Sequence, residues 1–173
     1  MAEAESPPNP SRAGGIGYHS RIFVSNPIPL KIKDPDKIQE AELEFRGLYH
    51  NKESFEARVF LNNPAADHTT AKIDENGYAG SLYVFAHGTR CMGGAGHCQV
   101  KDRSGVYDLR TSHHLKPTDI YLSITQQLKK IIRNTAPKEL SVTVVPIMMS
   151  FDQMADQVNV LHFESFSLII HGG

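Results

Sequence analysis

Two strand-like runs, at residues 54–62 and 79–87, constrain the fold more than any other part of the sequence. In the first run apolar side chains alternate with polar ones, which is the period-two pattern of a strand buried on one face. The second run is apolar or aromatic on both faces, so it predicts a central strand that is buried on two sides. Turn-forming residues between them, among them Asn63, Pro64 and Gly77, predict a connecting loop.

Six further segments are predicted to be strands: 28–33, 43–49, 106–113, 119–122, 140–149 and 158–170. In several of them, prolines or polar breaks favour a sheet edge, a bulge or a bend. A single helix is predicted near residue 123. Ser123 and Gln126 match a capping box, and Asn134 and Pro137 favour its end. The apolar stripe of this helix consists of Ile124, Leu128, Ile131 and Ile132. One short helix among about seven or eight strands predicts an all-β fold, an antiparallel β-sandwich of jelly-roll-like type.

Composition sets the remaining bounds. The chain has 173 residues, of which 40% are hydrophobic and 21% charged, which is ordinary for one soluble globular domain. Residues 1–20 are rich in Pro, Gly, Ser and Ala and are expected to form a flexible tail, with the domain at residues 21–173. A net charge of −1 gives no reason to expect a nucleic acid or a membrane partner. Neither a secretory signal nor a bilayer-length apolar run is found, which predicts a cytoplasmic protein, unless the chain was cut from a longer precursor or travels with a partner.

The order of these motifs resembles the C-terminal β-domain of the tyrosinase, plant polyphenol oxidase and molluscan haemocyanin family, the type 3 copper proteins. In that family a strand of the type Lys-Phe-Asp-Val-Phe-Val-Asn precedes Ala-Gly-Ser-Phe or Ala-Gly-Thr-Phe. A short strand with a helix and then a strand rich in Val and Thr follow. The counterparts here are residues 55–62, 79–82, 119–132 and 140–146, and the resemblance covers residues 43–170.

The resemblance implies a non-catalytic role. In the family, two copper ions are each held by three histidines on a separate four-helix domain, and the β-domain packs over the mouth of that site with a bulky side chain near it. The nine histidines here include no helical His-x-x-x-His pair, and the predicted helix contains none. We therefore expect a shielding or accessory domain that is not an enzyme alone and binds no cofactor itself. Its partner would be a tyrosinase-like dicopper oxidase, contacted through the loops 62–77 and 88–104.

One loop carries the other candidate chemistry. Both cysteines of the chain, Cys91 and Cys98, lie in a glycine-rich segment beside His97. Three interpretations stay open: two free thiols, a disulfide, and a soft-metal site, because thiolates and imidazole suit Cu(I) or Zn(II). His113 is the further ligand if the following strand folds back on the loop. Some members of the family carry a cysteine pair that is thought to assist copper loading, so the alternative function is copper delivery.

The metal hypothesis predicts about one equivalent of Cu(I) bound per chain, with thiolate ligands providing the affinity. Replacing both cysteines, Cys91→Ser with Cys98→Ser, should abolish this binding. A titration under reducing conditions with a chromophoric Cu(I) competitor measures it. Identical curves for the wild type and the double variant would exclude the site.

Overall fold

The computed structural model describes residues 2–6, 12–13, 21–32, 34–48, 54–85, 117–148 and 160–172. Over these residues the chain forms eleven strands, one α-helix and two short 3-10 helices. The strands are β1 (Ala2–Ser6), β2 (Arg12–Ala13), β3 (Arg21–Val24), β4 (Ile28–Pro29), β5 (Ile38–Leu48), β6 (Phe55–Leu61), β7 (Tyr78–Val84), β8 (Thr118–Ser123), β9 (Glu139–Leu140), β10 (Val142–Met148) and β11 (Ser165–Gly172). The helix α1 spans Thr125–Thr135, and the 3-10 helices are Pro35–Lys37 and Asp74–Asn76.

The strands pair in antiparallel sheets. One sheet has the order β1-β11-β5-β8, a second has the order β2-β3-β10-β6-β7, and a small third sheet pairs β4 with β9. Apolar side chains of the two larger sheets share one core cluster. The predicted all-β antiparallel sandwich is therefore confirmed.

Four phenylalanines form the centre of the contact between the two larger sheets. Phe23 on β3 lies 5.7 Å, centroid to centroid, from Phe166 on β11. Phe163 packs edge-to-face against both Phe23, at 5.0 Å, and Phe45 on β5, at 5.5 Å. Aromatic pairs at these distances add stabilisation beyond their buried area. These rings are part of the apolar core that the two sheets share.

Several predicted strands are confirmed. Strand β6 lies within the run 54–62, β8 covers the segment 119–122, and β10 lies within the segment 140–149. Strand β6 pairs with β10 over seven residues of each. Strand β11 begins at Ser165, where the sequence has its polar break. The predicted strand 106–113 lies outside the described residues.

Strand β7 corrects the expectation of a central strand buried on both faces. Among the described residues it pairs with β6 alone and lies at the edge of its sheet. The side chains of Tyr83 and Phe85 are 51% and 69% exposed, so that expectation was wrong. The sequence does not show the difference, because a run of aromatic residues has the same pattern whether the rings are buried in the centre of a sheet or exposed at its edge.

Helix α1 is confirmed, but its predicted cap is wrong. Ile124 occupies the N-cap position and no side chain bonds there, while Ser123 ends β8. The hydroxyl of Thr125 instead accepts a 2.9 Å hydrogen bond from the backbone N–H of Ala41, which attaches the helix to β5. The helix ends before Pro137, and Ala136 adopts a left-handed conformation that closes its last turn.

Burial agrees with the predicted apolar stripe of α1. Ile124, Leu128 and Ile132 are buried and Ile131 packs against the core. In the part of the chain that the structure describes, no helix combines the length and the apolar character needed to cross a bilayer.

Two strand segments lie within the expected N-terminal tail. Strand β1 pairs with β11 and strand β2 pairs with β3. Backbone pairing along a sheet edge needs no apolar side chains, so composition alone does not reveal it. The division of the chain at residue 20 remains a prediction.

Two glycines, Gly77 just before β7 and Gly80 within it, fix the path of the strand. Gly77 has φ +76° and Gly80 has φ +146°, both conformations that other residues rarely adopt. A Cβ on Gly77 would overlap the carbonyl oxygen of Leu61, whereas a Cβ on Gly80 would lie 3.0 Å from Cδ1 of Leu122. The Ala-Gly-Ser motif thus lets β7 approach the opposite sheet closely.

We expect Gly80→Ala to lower the free energy of unfolding by ~1–3 kcal/mol, because it adds backbone strain and a tight contact. Gly77→Ala should cost more, because the obstructing atom is backbone and cannot rotate away. Urea denaturation of both variants measures the order. Adding Leu122→Ala should relieve part of the strain at Gly80 only, and a smaller loss for Gly77→Ala than for Gly80→Ala would contradict the geometry.

Candidate functional site

The residues predicted to bind metal, Cys91, His97, Cys98 and His113, lie outside the described residues. The soft-metal site therefore remains a prediction. Within residues 2–6, 12–13, 21–32, 34–48, 54–85, 117–148 and 160–172, no three His, Cys, Asp or Glu side chains converge in a way that could hold a metal ion.

A buried carboxylate is the centre of a polar network on β6. Oε1 of Glu56 accepts hydrogen bonds from Ser81 Oγ at 2.7 Å, from Lys72 Nζ at 3.0 Å and, more weakly, from the Tyr83 hydroxyl at 3.4 Å. Its Oε2 accepts one from Arg58 Nε at 3.0 Å. Glu56 itself is only 8% exposed. Donors from two strands and from the connecting loop thus converge on one side chain.

This environment keeps Glu56 ionised. Burial by itself raises the pKa of a carboxyl group, but the hydrogen bonds from Ser81, Lys72 and Arg58 outweigh burial and lower the pKa of Glu56 to about 2. The same pairing raises the pKa of Lys72. A carboxylate with so low a pKa is a weak base, so the network suits structure better than proton transfer near neutral pH.

The network fixes the loop between β6 and β7, residues 62–77, which we call the tip loop. Lys72 holds one part of it, and Nη1 of Arg58 donates a 3.3 Å hydrogen bond to the carbonyl oxygen of His68. Beneath the loop, Ala66 packs in a second apolar cluster with Phe60 and Val145. The loop is therefore held by charge on one side and by apolar packing on the other.

A second buried carboxylate lies on the other large sheet. Glu44 on β5 accepts hydrogen bonds from the Tyr121 hydroxyl at 2.8 Å and from Ser167 Oγ at 3.0 Å, and it pairs with Arg46 at 3.0 Å. The hydrogen bond from Arg46 is the main reason that the pKa of Glu44 is lowered. Because these partners lie on β5, β8 and β11, Glu44 connects three strands.

Neither carboxylate network was predicted. The alternation of β6 and β5 predicts that Glu56 and Glu44 lie on polar faces. It does not predict that side chains from other elements bury them there. The one available signal was the spacing of Glu56 and Arg58, two residues apart on one strand face, which favours an ion pair.

An exposed aromatic pair lies at the end of β7. Tyr83 is a strand residue, and Phe85 follows two positions later, immediately beyond Val84. In extended backbone such residues share a face. The hydroxyl of Tyr83 points to Glu56, which restrains its ring. The molecule thus presents a large apolar feature beside a fixed polar network.

A cleft of about 260 Å³ separates the tip loop from α1. Its loop wall consists of Asn62, Asn63, Asp74, Glu75, Asn76 and Gly77, with Leu61 beside them. Several of these side chains are fixed by the backbone: Oδ1 of Asn62 accepts from the Ser141 N–H at 3.0 Å, and Nδ2 of Asn63 donates to the Asn76 carbonyl at 2.9 Å. The wall is therefore polar and rigid.

The helix wall of the cleft consists of Gln127, Lys130, Ile131, Asn134 and Thr135. Their spacing places them on one face of α1. Two bonds join this wall to the loop wall: Lys130 Nζ pairs with Asp74 Oδ2 at 2.8 Å, and Gln127 Nε2 donates to the Asp74 carbonyl at 3.4 Å. The ion pair raises the pKa of Lys130.

The fold is similar to part of latent aurone synthase, a polyphenol oxidase. A structure of the recombinantly expressed latent enzyme superposes with a TM-score of 0.50, and one of the enzyme from its natural source with 0.49. In each case the sequence identity is 12%, and the match covers 96% of this chain and 28% of the other. The chain thus spans about 28% of the length of these proteins, and the likeness shows a shared fold. No protein-family model and no curated protein sequence matches the chain.

The lowered pKa of Glu56 predicts a pH-dependent contribution to stability. Because the pKa of Glu56 in the folded protein, about 2, lies below the usual value of 4.5, the contribution is fully present above about pH 4.5 and is lost as the pH falls towards 2. The shift corresponds to roughly 3 kcal/mol of unfolding free energy at neutral pH. Urea denaturation from pH 2 to 7 should show that Glu56→Gln is less stable than the wild type at pH 7, with the two curves converging at low pH. Parallel curves would show that Glu56 does not titrate as described.

Proposed function

We propose that this chain is a non-catalytic accessory domain that shields the dicopper site of a tyrosinase-like oxidase of the polyphenol oxidase type. The observation that carries the proposal is the fold likeness: nearly the whole chain corresponds to a little more than a quarter of an oxidase described as latent. Most of that oxidase lies outside the matched part, and the proposal assigns the oxidising chemistry to a partner domain that corresponds to it. A domain that covers an active site is one way to keep such an enzyme latent.

The exposed aromatic pair supplies the docking surface. Tyr83 and Phe85 together offer two large rings at the edge of the sheet, and aromatic anchors dominate the energy of most interfaces. The weak hydrogen bond from the Tyr83 hydroxyl to Glu56 already limits the motion of this ring, which lowers the conformational entropy that is lost when the ring is covered. An interdomain contact of roughly 600–1,500 Å² would then extend onto the tip loop.

We assign Phe85 to the position over the mouth of the copper site. It is the more exposed of the two rings and has no polar group to satisfy. A phenyl ring placed there would hinder a phenolic substrate of similar size without taking part in the reaction. The contact can form within a longer polypeptide or between separate chains, because it needs only the surface and its partner.

A reconstitution assay tests the shielding role. The chain is added to the histidine-bearing helical oxidase domain from the same organism, prepared without any β-domain of its own, and catechol oxidation is followed by absorbance. We expect the rate to fall and to saturate as the chain is added. Phe85→Ala should weaken the inhibition at least tenfold, because a buried anchor is lost.

Tyr121→Ala is the matched control. Tyr121 is exposed to the same extent as Tyr83, 51%, but lies on β8 of the other sheet. Its replacement should leave the inhibition unchanged, once circular dichroism shows that the variant is folded. An oxidation rate that does not respond to saturating amounts of the chain would sink the proposal.

A further inference from the structure

The shielding proposal makes no use of the cleft between the tip loop and α1. The cleft is unusual in its lining, because five of its side chains are carboxamides: Asn62, Asn63, Asn76, Gln127 and Asn134. A carboxamide offers both a donor and an acceptor, so a surface made of them favours a ligand that also offers both.

Four of these carboxamides use one half of the group for the fold and leave the other half available. Asn62 accepts through Oδ1, whereas Asn63 and Asn76 donate through Nδ2 and Gln127 donates through Nε2. Among the described residues, the amide nitrogen of Asn62 and the amide oxygens of Asn63, Asn76 and Gln127 have no partner. Since the bonded half fixes the orientation of each group, the available half is positioned before any ligand binds.

The charges of the cleft disfavour both an anion and a hard metal cation. Lys130 is the one cation of the lining and is paired with Asp74 at 2.8 Å. Glu75 adds a further negative charge, so the lining carries a net charge of −1 and disfavours an anion. Because Asp74 is paired with Lys130, Glu75 is the one carboxylate of the lining left for a cation, and hard cations take six or more oxygen ligands. A neutral ligand with several hydroxyl groups fits this balance.

The size of the cleft further restricts the class of ligand that it can hold. The volume of about 260 Å³ lies just below the range of roughly 300–1,000 Å³ that holds drug-sized molecules. The two bonds that join the walls through Asp74 favour a small compact ligand over an extended peptide passing between them. Ile131 adds an apolar patch to the helix wall, against which a face of C–H groups can pack. We propose that this cleft binds a single neutral sugar ring.

Such a ring has two sources, a free sugar or the terminal residue of a glycan on another protein. Side-chain amide signals in ¹H–¹⁵N spectra report directly on the residues that the proposal invokes. The probes are methyl glucoside, methyl galactoside, methyl mannoside and N-acetylglucosamine as free sugars, and an oligomannose glycopeptide as the glycan. We expect saturable shifts of the amide signals of Asn62, Asn63 and Gln127, with a dissociation constant of about 1 mM for a free sugar.

The adjacent glutamines of α1 provide a matched pair of variants. Gln127 lines the cleft and Gln126 does not. Gln127→Ala combined with Asn134→Ala should weaken binding at least tenfold, whereas Gln126→Ala should leave it unchanged. Dispersed backbone spectra establish that each variant is folded. Shifts with a free sugar support a small-molecule site, and shifts with the glycopeptide alone support glycan recognition. Absence of saturable shifts with every probe, or equal binding by the double variant, would overturn the proposal.

Discussion

Both proposed surfaces, the exposed aromatic pair and the cleft between the tip loop and α1, depend on the hydrogen bonds that the ionised carboxylate of Glu56 accepts. A buried charge that loses its partner destabilises a protein by about 3–5 kcal/mol, so the donors around Glu56 must keep their positions. Those donors come from β6, from β7 and from the tip loop, so a single group fixes all three elements relative to one another. Tyr83 is restrained as an exposed ring and the tip loop is restrained as a cleft wall by the same carboxylate. Both surfaces therefore exist before any partner or ligand arrives.

Backbone geometry joins these two surfaces into one segment. The tip loop ends at Gly77, whose carbonyl accepts a 2.7 Å hydrogen bond from Leu61, and β7 starts at the next residue. Gly80, three residues after Gly77, brings the strand close to Leu122 on the opposite sheet. A cleft wall, a close contact between sheets and the exposed aromatic pair thus follow one another within about a dozen residues. The conformations of the two glycines leave this segment few alternative paths.

The sequence predicts where a strand or helix lies more reliably than it predicts which elements and side chains pack beside it. Alternation identified β6, because a period of two depends on the strand alone. The β-branched residues that identified β10 and the apolar stripe of α1 were equally local signals. The edge position of β7 was missed, since aromatic residues such as Tyr83 satisfy the same pattern at an edge and in the centre. The burial of Glu56 depends on Lys72 and Ser81, which are distant in sequence and meet it only after the chain folds. The prediction of the cap of α1 was wrong for the same reason, because the Thr125 hydroxyl accepts a hydrogen bond from Ala41 on β5, which is distant in sequence.

A shielding domain has to be rigid where it docks and weak enough in its contact to be displaced. A β-sandwich meets the first requirement, since its surface side chains are attached to paired strands rather than to long loops. The second requirement favours a contact with few anchors, because affinity follows the quality of a small number of buried side chains more closely than it follows area. Two exposed rings at one sheet edge fit that description better than a broad apolar face would. The same fold supports many functions, so the proposed shield rests on the fold likeness together with this surface.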